Sequence, residues 1–297
     1  MDLNMATVMS LSGRVGLVTG GGTGIGFIIA KAFAANGAKV YITGRRLNVL
    51  EEAAASVTGI PGSLVPLQMD VTDEESIKAG AKHIEEIDGK LNILVNKFVC
   101  GYLHSSRSYT DAFLAPDAHG SRDPDLIARY ATEDPLELET VQNWADIFAL
   151  NAIAPFFVIR AFQSLLVKGA QSRPHSTSSV INISSVSVKM NMTSSVASIA
   201  YGPTKAALDK LTLVLATSFA ARGIPIRVNV LAPGAFMSEQ LNDEFLEKSV
   251  PGLVKTIPAK RLGSDAEMGM TAVYLAVSDY TNGAVLRVDG GLALVIP

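Results

Sequence analysis

The sequence predicts one α/β domain, a doubly wound, mostly parallel sheet of about seven strands with helices on both faces. Three observations predict it. Short apolar runs suited to buried strands recur along the chain, separated by segments of helical periodicity. The first strand and helix are joined by a glycine-rich turn, within the stretch VGLVTGGGTGIG at residues 15–26. No linker, internal repeat or low-complexity tract divides the 297 residues, so residues 1–297 read as a single domain. Strands alternating with helices of this length call for right-handed crossovers and a parallel sheet covered on both sides.

Composition narrows the function. With 48% hydrophobic and 18% charged residues the chain has ample core. A formal net charge of −3 and the lack of any basic block give no pull toward nucleic acid. The single cysteine, Cys100, excludes an intrachain disulfide and fits a reducing compartment. The opening MDLNMATVMSLSGR lacks the charged-then-apolar order of a secretory signal. No uncharged apolar run reaches the roughly eighteen residues of a membrane span. A cytoplasmic protein without nucleic-acid or membrane partners is expected.

In order along the chain, residues 15–18 make the first strand and residues 25–35 the first helix. The glycine turn between them is an anion site in principle. Backbone N–H groups at a helix N-terminus face the ligand, and the helix dipole favours a pyrophosphate there. Glycine permits close backbone approach and positive φ. Gly20, Thr23, Gly24, Ile25 and Gly26 are the candidate ligand residues. Residues 39–43 (KVYIT) form a second strand, followed by Gly44, Arg45 and Arg46 and a helix over 47–56. The third strand, 64–69, ends at Asp70-Val71-Thr72-Asp73, which caps a helix from about Glu74. Residues 91–95 are a fourth strand.

From about 98 to 140 the rhythm breaks, with Pro116, Gly120, Pro124 and Pro135, and we read an insertion carrying a short helix at 124–131. His104 and His119 stand there among aspartates, but no metal-ligand spacing recurs and no metal site is expected. Helical periodicity resumes from about Glu137 to Lys168. Residues 179–184 (SVINIS) are the fifth strand, about 199–222 a long helix, and 226–231 the sixth strand, stopped by Pro233-Gly234. A helix at 242–253, another at 265–277 and a last strand at 285–288 complete the chain.

Behind the glycine turn stand Asn151, Ser185 with Tyr201-Gly-Pro-Thr-Lys205, and Pro233-Gly234 after a strand. With YTNG at 280–283 and VDGG at 288–291, this ordered set resembles the compact, single-domain branch of the short-chain dehydrogenase/reductase family, from about Leu11 to Gly291. The resemblance implies a Rossmann-type fold, a nicotinamide dinucleotide, and reduction of a carbonyl or oxidation of an alcohol. It also implies that Lys205 binds the nicotinamide ribose and that Asn151 holds a water relaying protons to it. Asp70 and Val71 match the family's adenine-contacting pair. Asn96, Pro233 and Gly234 match further cofactor positions, and Tyr201 joins Lys205 among them. Where the family has Asn-Asn-Ala-Gly after the fourth strand, this chain has Asn96-Lys97-Phe98-Val99, so bulkier residues replace the small pair that admits the cofactor.

The chemistry can be argued beside the likeness. Tyr201 and Lys205 share one helical face. A free tyrosine titrates near pH 10, and a neighbouring ammonium favours the phenolate, so a lowered value is expected. Such a pair exchanges a proton with an alcohol or a developing alkoxide. Ser185, at the end of a strand, is placed to hold the substrate oxygen. An acidic residue after the second strand binds a ribose 2′-OH, whereas a basic one suits a 2′-phosphate. Here Gly44 is followed by Arg45 and Arg46, so NADP(H) is favoured over NAD(H). Met190 and Met192, with Phe236, Met237, Phe245 and Leu253 of a lid at about 236–253, point to a small to medium, largely apolar carbonyl or alcohol substrate. Two other readings stand beside this one: a cofactor-impaired relative acting as a binding or scaffold protein, motivated by residues 97–99, and a non-redox isomerase or dehydratase. The apolar helices at 144–166 and 206–219 are expected to pair across a two-fold axis into a homodimer or homotetramer.

Overall fold

A computed structural model describes residues 3–97, 134–173, 176–191, 198–236 and 252–296. Its sheet contains β1 (Val15–Thr19), β2 (Lys39–Gly44), β3 (Ser63–Gln68), β4 (Ile93–Asn96), β5 (Ser178–Ile183), β6 (Ile226–Pro233) and β7 (Val285–Val288). All pairings are parallel, in the order β3-β2-β1-β4-β5-β6-β7. The chain builds outward from β1 to β3, then returns to the other side of β1 with β4. Strand order therefore reverses between β1 and β4, and a crevice beyond their carboxyl ends is where such sheets take ligands.

The alternation of side chains explains the two layers. Leu17, Tyr41, Leu94 and Val180 point into one apolar cluster and Val18, Val40, Ile42, Val95 and Ile181 into another. α1 (Met5–Val8) precedes β1. α2 (Gly24–Ala35), α3 (Leu47–Ala55) and the later α10 belong to the second cluster, through Ile29, Phe33, Leu50 and Leu275. On the opposite face lie α4 (Glu74–Asp88) and a long helical run. That run follows the short α5 (Pro135–Leu138) and comprises α6 (Val141–Phe148), a π-helical turn at Ala149–Ile153 and α7 (Ala154–Gln171). The remaining elements are a 3-10 turn at Val186–Lys189, α8 (Tyr201–Ala221), α9 (Leu253–Thr256), α10 (Asp265–Val277) and α11 (Leu292–Val295). Covered on both faces, β5 and β6 are buried along their whole length.

The predicted elements agree closely, and the differences have local causes. Asp73 caps α4, its side chain accepting from the Glu75 N–H at 2.9 Å. The helix expected from Glu137 breaks at residues 139–140, where the Thr140 side chain accepts from the Asn143 N–H at 3.1 Å and starts a new helix. Residues Val141–Gln171 make a helix long and apolar enough to cross a membrane by length and composition. Its apolar side chains, among them Val158, Phe162 and Leu166, serve instead to cover the sheet. The expected helix at 124–131, His104, His119 and Cys100 lie outside the described residues, as does the predicted helix at 242–253 up to residue 251.

The end of the sheet away from the crevice is closed by buried cations. Arg14 donates to the Ala276 carbonyl at 2.9 Å and Arg227 to that of Leu275 at 3.1 Å, in the last turn of α10 where a positive charge is favoured, and Arg227 also donates to the Thr281 carbonyl in the loop beyond. Burial lowers both guanidinium values to about 10.

Backbone packing is tightest where α7 crosses the segment before β4. A Cβ on Gly169 would overlap the Leu91 carbonyl oxygen, while Leu91 N–H donates to Leu165 O at 2.9 Å and Asn92 Nδ2 to Gly169 O at 2.8 Å. Gly169→Ala is expected to destabilise the fold by about 1–3 kcal/mol through overpacking, despite alanine's better helix propensity. Urea denaturation checks this, through a lower midpoint at unchanged slope.

Candidate functional site

The glycine turn is built on close backbone contact. Gly20 adopts φ +58°, and a Cβ there would stand 2.7 Å from the Lys97 carbonyl oxygen. Gly26, in the first turn of α2, packs onto the Gly20 carbonyl, where a Cβ would collide. Gly24 has φ +51° with open space around its missing side chain. Thr23 is the N-cap of α2, and the first turn of that helix holds no acidic residue. The turn thus combines partly accessible backbone with the positive end of a helix. Ile25 packs against the apolar cluster beneath.

Arg45, partly buried just past β2, is held through its carbonyl, which accepts from Gln68 Nε2 at 2.8 Å. Asp70 Oδ1 accepts from both the N–H and the hydroxyl of Thr72, at 2.9 and 2.7 Å, fixing the turn after β3, and Val71 packs against the core. Asn96, fully buried at the end of β4, donates to Asn182 Oδ1 at 2.9 Å. Asn182 in turn donates to the Thr212 hydroxyl at 2.8 Å. Asn96 Oδ1 is buried without a hydrogen-bond partner among the described residues.

On the other side of β4 the structure brings Asn151, Ser185, Tyr201 and Lys205 together. Ser185 lies just past β5, its hydroxyl accepting from the Ser187 N–H at 3.1 Å and hydrogen-bonded to Tyr201. Tyr201 opens α8. One turn on, Lys205 is fully buried, donating to the Ile183 carbonyl at 3.0 Å, with Nζ 5.8 Å from the Tyr201 ring centroid. Asn151 projects from the π-helical turn, and its Nδ2 donates to the Thr204 hydroxyl at 3.2 Å. Thr204 Oγ1 itself donates to the Tyr201 carbonyl at 2.7 Å. Pro233 and Gly234 close β6, where Gly234 N–H donates to Val288 O at 2.9 Å and a Cβ would stand 2.7 Å from Asp289 Cα.

Two expectations are corrected. Tyr201 does not have a lowered pKa: burial pushes its phenol up to about 12, offset only in part by the Ser185 hydrogen bond. Withdrawal from water disfavours the charged phenolate. Phe236 does not line an open pocket. It is 4% exposed, belongs to the core cluster and fills the space left by Gly263. Met190 and Leu253 pack onto Val186, Ile257, Leu262 and Leu292, while Met192, Met237 and Phe245 lie outside the described residues.

Sequence reasoning missed three supporting residues. Thr204 bridges Asn151 to the Tyr201 backbone, and its place inside the Tyr201–Lys205 motif was the available signal. Glu139 accepts from Ile199 N–H, Ser198 Oγ and Trp144 Nε1 at 2.9, 2.9 and 3.0 Å, anchoring the entry to α8. Half-buried Asp209 is hydrogen-bonded to Ser184, and burial raises its pKa against the pull of that bond and of Lys205 and Lys189.

Residues 14–107 match the family model described as short chain dehydrogenase, and residues 127–293 the one described as Enoyl-(Acyl carrier protein) reductase. The chain is 34% identical to short-chain dehydrogenase/reductase VdtF of Byssochlamys spectabilis, over 97% of this chain and 95% of that one. It is 30% identical to galactitol 2-dehydrogenase (L-tagatose-forming) of Cereibacter sphaeroides, over 97% and 98%. The Pseudomonas aeruginosa RhlG/NADP active-site complex superposes with a TM-score of 0.76 at 29% identity, covering 96% of this chain and 98% of that one. This chain therefore belongs to the short-chain dehydrogenase/reductase family. It is an oxidoreductase with that family's Rossmann-like sheet, of the class that interconverts carbonyls and alcohols on small molecules.

The Tyr201 environment has a measurable signature. In alkaline difference spectra of the protein against Tyr201→Phe, the phenolate of this residue is expected near pH 12. Because its folded value lies above its unfolded value near 10, the folded state holds the proton longer. Its contribution to stability is complete below pH 10 and is lost as pH rises toward 12. Unfolding curves across that window should fall more steeply for the parent than for Tyr201→Phe.

Proposed function

We propose that the chain is an NADPH-dependent carbonyl reductase in which Tyr201 is the acid that protonates the substrate oxygen. One observation carries this reading: Ser185, Tyr201, Lys205 and Asn151 converge beside β5, next to the crevice where strand order reverses.

The residues around that crevice fit a dinucleotide. Gly24 leaves open space at the start of α2, and Asn96, the last residue of β4, has a buried oxygen without a partner among the described residues. Gly20, Thr23, Gly24, Ile25 and Gly26 would hold the pyrophosphate, with Asp70 and Val71 at the adenine. Asn96, Pro233 and Gly234 would flank the cofactor, and Tyr201 and Lys205 would hold the nicotinamide ribose. Arg45 offers a planar fork to a 2′-phosphate, and no carboxylate follows β2 to repel it. The RhlG/NADP active-site complex supports the same preference.

When bound, the reduced dinucleotide supplies a hydride. The chain's own groups handle the proton. Ser185 and Tyr201 donate hydrogen bonds to the carbonyl oxygen, strengthening as negative charge develops. Tyr201 then releases its proton to that oxygen, and the ammonium of Lys205 stabilises the phenolate left behind. Asn151, held by Thr204, is placed to keep the water that restores the proton. A largely apolar substrate rests on the composition of residues 236–253 alone. Exposed Ile153, Phe156 and Val214 on the long helices support self-association into a dimer or tetramer.

Tyr201→Phe is expected to lower turnover by roughly a hundred- to ten-thousandfold in steady-state assays while NADPH still binds, followed by cofactor fluorescence. Retained turnover would remove Tyr201 from its role. Arg45→Glu should shift the ratio of NADPH to NADH affinities toward NADH by about ten- to hundredfold or more. An unmoved ratio would show that Arg45 does not read the phosphate.

A further inference from the structure

Tyr201 opens α8, yet that helix brings no side-chain cap of its own, because its N-cap is Ala200. The donors at its entry are satisfied by other means. Ser198 accepts from the Ala200 N–H through its hydroxyl at 3.1 Å and from the Tyr201 N–H through its carbonyl at 3.0 Å. The Ile199 N–H donates to Glu139 Oε1 and the Ser198 hydroxyl to Glu139 Oε2, each at 2.9 Å. A carboxylate from the segment between α5 and α6 thus does what a capping side chain would do. Its negative charge also complements the dipole of a 21-residue helix.

Glu139 has a second attachment. Oε2 also accepts from Trp144 Nε1 at 3.0 Å, and the Trp144 ring stacks on Phe148 with centroids 6.2 Å apart. Phe148 is the residue before the π-helical turn that carries Asn151. One carboxylate therefore grips both the start of the Tyr201 helix and the helix that leads into Asn151. Ser198, Ala200, Tyr201 and Asn151 are buried, so bonds lost here are not readily replaced by water.

We propose that Glu139 is a positioning residue for Tyr201, its carboxylate fixing the start of α8 so that the phenol meets both the Ser185 hydroxyl and a substrate oxygen. The proposal rests on the role given to Tyr201 above and adds the residue that places it. Glu139 acts through the backbone ahead of Tyr201 rather than on the reacting atoms. A displacement of about 1 Å at a reacting group can cost roughly a hundredfold in rate. The residues assigned above to the pyrophosphate and the adenine lie past β1 and β3, away from α8, so the chemical step suffers and cofactor binding does not.

The test is NADPH oxidation at steady state with a panel of apolar ketones, by the intact protein, Glu139→Ala and Glu139→Gln, beside NADPH titrations by cofactor fluorescence. Glu139→Ala is expected to lower kcat by about ten- to hundredfold while NADPH affinity stays within about threefold. Glutamine keeps an oxygen for the Ile199 N–H but turns a donating amide toward Ser198 and Trp144, so Glu139→Gln should fall between the two. Gly169→Ala, destabilised away from the site, is the control and should keep its kcat. Unchanged kcat in both Glu139 variants would overturn the proposal. So would an equal loss of kcat in Gly169→Ala, or a parallel loss of NADPH binding, since the carboxylate would then serve the fold alone. If Glu139→Ala does not fold, Glu139→Gln carries the test by the same criteria. If the unaltered protein turns over none of the ketones, the reductase reading falls and this proposal with it. Turnover by the unaltered protein that Glu139→Ala retains in full sinks this proposal alone.

Discussion

Strand order reverses between the paired strands β1 and β4, and at the end of their ladder the Thr19 hydroxyl ties one to the other. Thr19 Oγ1 donates to the Val95 carbonyl at 3.2 Å and accepts from the Lys97 N–H at 3.0 Å. Both ends of that bridge are buried, where an unmade hydrogen bond is costly. The bridge fixes the level at which β4 ends relative to the glycine turn. That level sets where Gly20 meets the Lys97 carbonyl, and Gly26 then settles onto Gly20. Asn96 and the start of α2 inherit their places from this junction. Functional groups spread over distant parts of the chain can converge because the strand ends that carry them are registered to one another.

Polar groups buried beneath these strand ends extend this registration toward Tyr201. From Asn96 a line of hydrogen bonds runs through Asn182 to Thr212 and on to the Leu208 carbonyl, crossing from β4 through β5 into α8. A second line runs from Asn151 through Thr204 to the Tyr201 backbone, and Glu139 holds the chain just before Tyr201. Buried polar groups need partners of fixed geometry, so such lines specify position more sharply than apolar packing does. The helix bearing Tyr201 and Lys205 is located by three independent tethers.

Much of this was legible in the sequence. Strands and helices announce themselves locally, through alternation in stretches such as KVYIT and through caps such as Asp73, because both depend on near neighbours. The constellation of Asn151, Ser185, Tyr201 and Lys205 was legible through the order and spacing of its motifs. What escaped the reading depends on residues far apart in the chain. Glu139 reaches Ser198 only once the fold is made. Phe236 looked like a pocket wall until the partner space at Gly263 was seen, and the Tyr201 acidity was misjudged because burial cannot be read from a helical spacing. The ammonium was visible in the sequence; the loss of water around the phenol was not.

The π-helical turn at Ala149–Ile153 does more than display Asn151. A widened turn inserts roughly one extra residue, so the side chains before and after it differ in angular phase by about 100° from an unbroken α-helix. Trp144 and Phe148 stack on each other upstream, near α8, while Val158, Phe162 and Leu166 downstream face the sheet. The turn works as a rotary coupling between two helical segments with different neighbours. Each segment can keep its own apolar face buried, and the mismatch between them is absorbed at the turn that carries Asn151.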